Sequence, residues 1–166
     1  MRTGAQDGWW FEDAVVGRVI EHPRGRTVTA DEHARLAWLT DNASAVHGDV
    51  HRAAMGVFGQ TVVLGALSAA ITIGLAEPAT AQPADAARAL PRGWSRIALT
   101  ATVVAGDTLA AVSRIEAVTP DADGGGGLVR RSIEGRDQRG TVVVRIREER
   151  WVTSRGPRNS RRTTDC

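Results

Sequence analysis

The sequence predicts an α+β domain in which an antiparallel β-sheet wraps around one long central helix. Three observations carry this. The segment 65–76 is apolar nearly all round, as expected of a helix buried on every side. Beyond residue 96 the apolar residues switch to a period of two, the mark of strands with one buried face. The chain has 166 residues, the length of one ordinary domain with a single core.

Residues 15–20 read as a short strand, closed by His22-Pro23-Arg24-Gly25. Thr29 and Glu32 stand at capping-box spacing, so a helix starts at Ala30. His33, Ala34, Ala37 and Trp38 continue it at helical spacing through about Leu39. Residues 42–49 have turn-forming composition and read as irregular, and 50–55 add a short helical turn. The central helix is stopped by Glu77-Pro78, and its small residues, Gly65, Ala66, Ser68, Ala69, Ala70 and Gly74, let other backbone approach closely. Residues 76–94 form a long Ala/Pro/Arg connection. Four alternating runs follow: 97–103, 109–115, a weaker one at 128–134, and 142–146. They are separated by Ala105-Gly106-Asp107, by Pro120 with Gly124 to Gly127, and by Asp137-Gln138-Arg139-Gly140. The domain is expected over 8–155, with a disordered, Arg-rich tail at 156–166.

Composition removes several classes. All 21 basic side chains are arginine, which excludes lysine Schiff-base chemistry. The lone cysteine, Cys166, excludes a disulfide framework and a cysteine metal site. No apolar run is long enough for a membrane span, and residues 1–7 lack the apolar core of a signal peptide, so a cytoplasmic location is expected. The net charge is only +2. The basic tail lacks interleaved aromatics, so no nucleic-acid partner is expected.

Chemistry concentrates in Asp41-Asn42-Ala43-Ser44-Ala45-Val46-His47-Gly48-Asp49 and the following Phe58-Gly59-Gln60. A histidine in a polar, turn-prone segment is delivered near the N-terminus of a buried helix. The imidazole transfers protons and the helix amides can stabilise an enolate oxygen, the pair needed to add or remove water beside a thioester.

Six segments then stand in a telling order: Phe11-Glu12-Asp13 with Val16-Gly17; Arg26-Thr27-Val28-Thr29 leading to Leu39-Thr40; Val46-His47-Gly48-Asp49; Phe58-Gly59-Gln60 through Gly65; Gly106-Asp107-Thr108-Leu109; and Gln138-Arg139-Gly140 with Val142-Val143. Together, over roughly residues 10–155, they resemble the MaoC-like dehydratases, the (R)-specific enoyl-CoA hydratase branch of the hot-dog fold. The resemblance implies a hydro-lyase acting on an acyl thioester carried by coenzyme A or an acyl carrier protein. The carrier would belong to the substrate, with no separate cofactor and no metal. It also implies a homodimer whose sheets join edge to edge.

The family pairs its histidine with a carboxylate five residues earlier. Here that position is Asn42, whose amide accepts no proton at neutral pH and could only orient His47 or a water. Asp41, one residue away, is the alternative acid. The proline the family carries at position 45 is Ala45 here. By the same resemblance Gly65 and Leu64 would offer backbone donors, and Phe58, Gly59 and Ser68 would line the substrate pocket. Arg92 or Arg96 would meet phosphates at its mouth. Among the other histidines, His33 reads as structural, and His22 and His51 have no evident partners. Asp49 reads as fixing its own loop. Spacing alone would permit a His47/His51/Asp49 metal cluster, but no second shell supports one. Two alternatives stay open: an acyl-thioester hydrolase on the same fold, and a non-catalytic binding subunit.

Overall fold

The structure, a computed structural model, describes residues 10–77 and 88–156. A 3-10 turn at Phe11–Asp13 leads into β1 (Val19–Thr27), followed by α1 (Ala30–Leu39), α2 (Ala45–Gly48), α3 (Val50–Ala54) and α4 (Gly65–Leu75). Four strands complete the chain: β2 (Ala89–Leu99), β3 (Thr108–Pro120), β4 (Gly126–Arg136) and β5 (Val142–Thr153). All five strands form one antiparallel sheet in the order β1-β3-β4-β5-β2. The predicted tail from 157 onward, and 78–87 of the predicted connection, lie outside the described residues.

The sheet bears on α4 because its inner face is apolar at alternate positions. Leu109 and Ala111 of β3, Ile133 of β4, and Val144 and Ile146 of β5 pack with Ala69, Ile71 and Leu75 of α4. Gly135 of β4 lets the helix lie close, since a side chain there would strike Thr72. A second cluster, Ala89, Ile115, Val129 and Val152, packs with Phe11 and Ile20.

Three sequence expectations need correction. The first strand starts at Val19 and runs on through His22-Pro23-Arg24-Gly25, with a register shift between Glu21 and Gly25. It is an edge strand, where proline and a bulge are tolerated because one side needs no ladder hydrogen bonds. Residues 42–49 are not wholly irregular, because 45–48 close the single helical turn α2. The strand expected at 97–103 instead spans Ala89–Leu99, so its beginning lies inside the supposed connection. Pro91 and Gly93 disguise it, and the ladder shifts register beside them.

A charged layer lies between the two apolar clusters. Arg131, Glu148 and Arg150 are fully buried on the inner face. Glu148 Oε2 accepts from Arg131 Nε (2.5 Å) and Arg150 Nε (2.7 Å), and Oε1 accepts from Arg150 Nη2 (3.1 Å) and Trp94 Nε1 (3.2 Å). Arg131 Nη1 also donates to Ala76 O (3.1 Å), and Arg24 Nη2 to Gly74 O (2.8 Å). Cations thus meet the negative end of α4, where carbonyls lack helical partners.

His22 borders this layer, with Nε2 2.8 Å from Ser113 Oγ. Burial, followed by the positive charges of Arg131, Arg150 and Arg24, lowers its pKa to about 4. The unfolded chain binds that proton near pH 6.5, so the stability linked to a neutral His22 is full above that pH. It is lost as pH falls toward 4. His22→Asn should therefore flatten the acid limb of stability. In urea unfolding compared at pH 7 and 4.5, the wild type should lose about 2 kcal/mol more than the variant. Equal losses would refute the assignment.

Candidate active site

The site is assembled by α1, α2 and the extended residues 61–64 that lead into α4. Thr29 caps α1 reciprocally with Glu32: Glu32 N–H donates to Thr29 Oγ1 (3.3 Å) and Thr29 N–H to Glu32 Oε1 (3.0 Å). The helix ends at Leu39 with Thr40 as its cap, and Asp41 follows with a left-handed φ of 50°, a conformation Asp and Asn tolerate better than most residues. Asn42 then turns the chain, its Oδ1 accepting from Ser44 N–H (3.3 Å). His47 N–H bonds Ser44 O (2.9 Å) and closes α2.

His47 is half-buried, and its Nδ1 lies 2.8 Å from Val62 O. A carbonyl only accepts, so Nδ1 carries the proton and Nε2 keeps its lone pair. Val62 N–H in turn donates to Val46 O (3.1 Å), and Val63 N–H to Val103 O (2.8 Å). The segment that fixes the imidazole thus continues, two residues later, into the N-cap of α4 at Leu64. The first helical amides, Gly65 and Ala66, have no intrahelical acceptor, whereas Leu67 and Ser68 N–H already turn to Leu64 O. At Gly65 the Leu99 side chain from the end of β2 lies against the helix start, and a Cβ there would push that exposed side chain aside.

The other nominated residues fall in different places. The Leu64 amide is not open as a donor toward substrate, because it is engaged by His33 Nδ1 (3.3 Å). The orientation of His47 comes from the Val62 carbonyl, and the Asn42 oxygen serves its own turn. Asp41 makes no side-chain hydrogen bond or ion pair among the described residues and is exposed. Asp49 does fix its own loop, capping α3 through Arg52 N–H (2.9 Å) and pairing with the Arg52 side chain (3.4 Å). Phe58 and Gly59 are exposed on the segment between α3 and α4, Gly59 with φ 66°. Ser68 is buried in α4. Among the described residues no group of three His, Cys, Asp or Glu side chains is placed to hold a metal, and no helix is long and apolar enough to cross a membrane.

No family model and no curated protein matches the sequence. Solved structures do match. A monoamine oxidase regulatory protein from Archaeoglobus fulgius is 25% identical with a TM-score of 0.76, over 92% of this chain and 99% of that one. A MaoC-like dehydratase from Rhodospirillum rubrum is 24% identical with a TM-score of 0.77, over 90% and 100%. This chain has the MaoC-like hot-dog fold. An (R)-hydratase from A. caviae involved in PHA biosynthesis shares that fold at 22% identity and a TM-score of 0.65, over 83% and 96%.

Within this hot-dog domain, Arg92 and Arg96 line a groove of about 490 Å³ with Arg130, Arg147 and Glu149. Arg130 and Arg147 are exposed while their neighbours Arg131 and Ile146 are buried against α4. The groove therefore lies on the outer face of the sheet, away from the helix start, and the expectation that these arginines flank the His47 pocket is corrected. Sequence reading missed His33 as a member of the site. It is buried and touches both His47 and Leu64, through contacts 14 and 31 residues apart in the chain that no local pattern reveals.

Proposed function

We propose that this protein is a hydro-lyase that adds water to an α,β-unsaturated acyl thioester, or removes it from the 3-hydroxyacyl thioester, on coenzyme A or an acyl carrier protein. The observation that supports the reading is the tautomer of His47: Nδ1–H is tied to the carbonyl of Val62, three residues before the first residue of α4, which leaves the Nε2 lone pair for proton transfer. In the hydration direction Nε2 takes a proton from water as the oxygen bonds to C3. The electron pair of the C2–C3 double bond moves onto the thioester oxygen as an enolate. The Gly65 and Ala66 amides hold that oxygen, and the imidazolium returns its proton to C2. Asn42 serves through its amide, hydrogen-bonding the water rather than taking a proton. No metal or separate cofactor enters, and the carrier arrives with the substrate. Phe58, Gly59 and Ser68 are the residues we assign to the acyl pocket.

The test is crotonyl-CoA followed two ways. Loss of the enoyl absorbance without release of free thiol supports hydration. Thiol release at constant enoyl content would instead favour the hydrolase, and neither change across a range of acyl lengths would favour a binding subunit.

We further propose a homodimer and a cytoplasmic setting. β2 is an edge strand 11 residues long, and it exposes Leu90, Trp94, Ile97 and Leu99. Pro91, Arg92, Arg96 and two register shifts interrupt this edge, but the four exposed apolar side chains are surface that a second copy, joined edge to edge, would cover symmetrically. In sedimentation, wild-type protein should run as a dimer and Ile97→Lys as a monomer at micromolar concentration. A monomeric wild type would remove the dimer from the proposal.

A further inference from the structure

We infer that His33 is a positioning residue that sets the relation between the His47 imidazole and the amides opening α4; this rests on the hydratase reading above. His33 projects from α1 and is 5% exposed. Its Nδ1 lies 3.3 Å from Leu64 N and its Nε2 2.9 Å from His47 O. An amide N–H only donates and a carbonyl only accepts, so the two contacts allow one arrangement: Nδ1 accepts, and Nε2–H donates. The tautomer is opposite to that of His47, and both ring nitrogens are satisfied.

What the two bonds join matters more than their number. One ends on the backbone of the proton-transferring residue and the other on the N-cap of the helix whose first amides face the enolate oxygen. Together with the bond from His47 Nδ1–H to Val62 O (2.8 Å), they close a ring running His47 O, His33, Leu64 N, Val63, Val62 O and back to the His47 side chain. The His33 and His47 rings stand 5.8 Å apart between centroids at 72°, so His33 also backs the imidazole edge-on. A residue serving only to pack α1 would be apolar, because a buried imidazole costs stability unless both nitrogens find partners. Here the partners are the two halves of the site. Without His33, α2 is free to shift against the start of α4. Misplacing a reacting group by about 1 Å is enough to cost roughly 10²-fold in rate.

The experiment uses the full chain with two variants. His33→Leu keeps the volume and removes both bonds. His33→Asn puts an amide oxygen where Nδ1 sits, keeping an acceptor for Leu64 N–H, but reaches no further toward His47 O. On crotonyl-CoA, His33→Leu is expected to lower kcat about 10²-fold and His33→Asn about 10-fold, each with KM within about twofold of wild type. If His33→Leu does not fold, His33→Asn alone decides. Wild-type kcat in a folded variant, or a loss confined to KM, overturns the inference.

Nitrogen-15 spectra of the histidine rings separate this from failure of the hydratase reading. Wild-type His47 should show a protonated Nδ1 and an unprotonated Nε2, and His33 the reverse. Should the wild type hydrate no enoyl thioester, the reaction assignment falls. The spectra then decide the positioning role: a blurred His47 signature in the variants sustains it, and an unchanged one overturns it.

Discussion

Exchanging His47 for asparagine is expected to lower the hydration rate of crotonyl-CoA by about 10²–10⁴-fold, the span typical of losing a positioned general acid–base group. KM should stay within about twofold, because the proposed mechanism assigns the thioester to the helix amides and the acyl pocket rather than to the imidazole. Asparagine is chosen because its amide can still donate to Val62 O, which keeps the tie that Nδ1–H makes at 2.8 Å. The fold around α2 should therefore survive, as circular dichroism and an unchanged melting temperature would show. A residual rate above that in water is also expected, since the proposed enolate contacts to the Gly65 and Ala66 amides do not involve the exchanged side chain. Full activity in this variant would mean that proton transfer is done by another group, with Asp41 the first candidate. A rise in KM at constant kcat would instead move His47 from chemistry to binding.

The second large effect concerns stability. Glu148→Leu should destabilise the fold by about 3–5 kcal/mol, the usual result of removing one member of a buried ion cluster. The reason is the count of donors: two arginines and one indole place four N–H groups on this single carboxylate, and both arginine side chains are fully buried. Without Glu148, one half-buried carboxylate, Glu77 at 2.5 Å from Arg150 Nη2 and 3.5 Å from Arg131 Nη2, is left to balance two buried guanidinium groups. A domain of this size holds only about 5–15 kcal/mol in total, so the melting temperature should fall by roughly 10 °C. Glu148→Gln keeps the volume but turns one acceptor oxygen into an NH2 facing two N–H groups, and should lose most of the same stability. A loss below about 1 kcal/mol in both variants would show the cluster to be energetically idle.

The Glu148 titration runs the same way as that of His22. Burial opposes its ionisation, but the hydrogen bond from Arg150 and the charges of Arg131 and Arg150 outweigh this and hold the carboxyl below the usual carboxylate range. Its contribution is therefore full above that range and is lost as pH falls through it. The two acid effects separate in order: His22 acts first as pH drops from 6.5, and Glu148 only at lower pH.

The parts of the fold legible in the chain were those whose causes are local. The Thr29/Glu32 capping box and the apolar run from Gly65 each lie within a few residues, and both elements begin where expected, at Ala30 and Gly65. Strand β3 and the first part of β5 showed through because their inner faces are apolar there, Leu109 and Ala111 in β3 and Val144 and Ile146 in β5. The rest of β5, to Thr153, did not, because Glu148 and Arg150 take its inner-face positions. β2 was hidden because it is an edge strand with Pro91 and Gly93 near its start, so its burial does not alternate cleanly. β4 read as weak for a different reason: Arg131 occupies an inner-face position where the period asks for an apolar residue. In the candidate site, His47 and Gly65 were nominated from type and spacing, and the structure sets the imidazole against Val62 just ahead of the helix that Gly65 opens. Val62 as the anchor of the imidazole was not, because it acts through its carbonyl, which every residue has. His33 was missed because its polar contacts reach other segments, while its helical neighbours suggested only packing.

The placement of the charged layer also bears on how the β4–β5 hairpin finds its alignment. Arg131 stands opposite Glu148, and Val129 opposite Arg150. A slide by one residue would turn every side chain to the wrong face. A slide by two would preserve the greasy stripe, and apolar content alone would penalise it little. It would, however, set Arg131 directly across from Arg150 or from Ile146, stranding a cation in either case. The three charges thus act as a key with one permitted setting, rejecting the misaligned hairpins that oiliness by itself would accept.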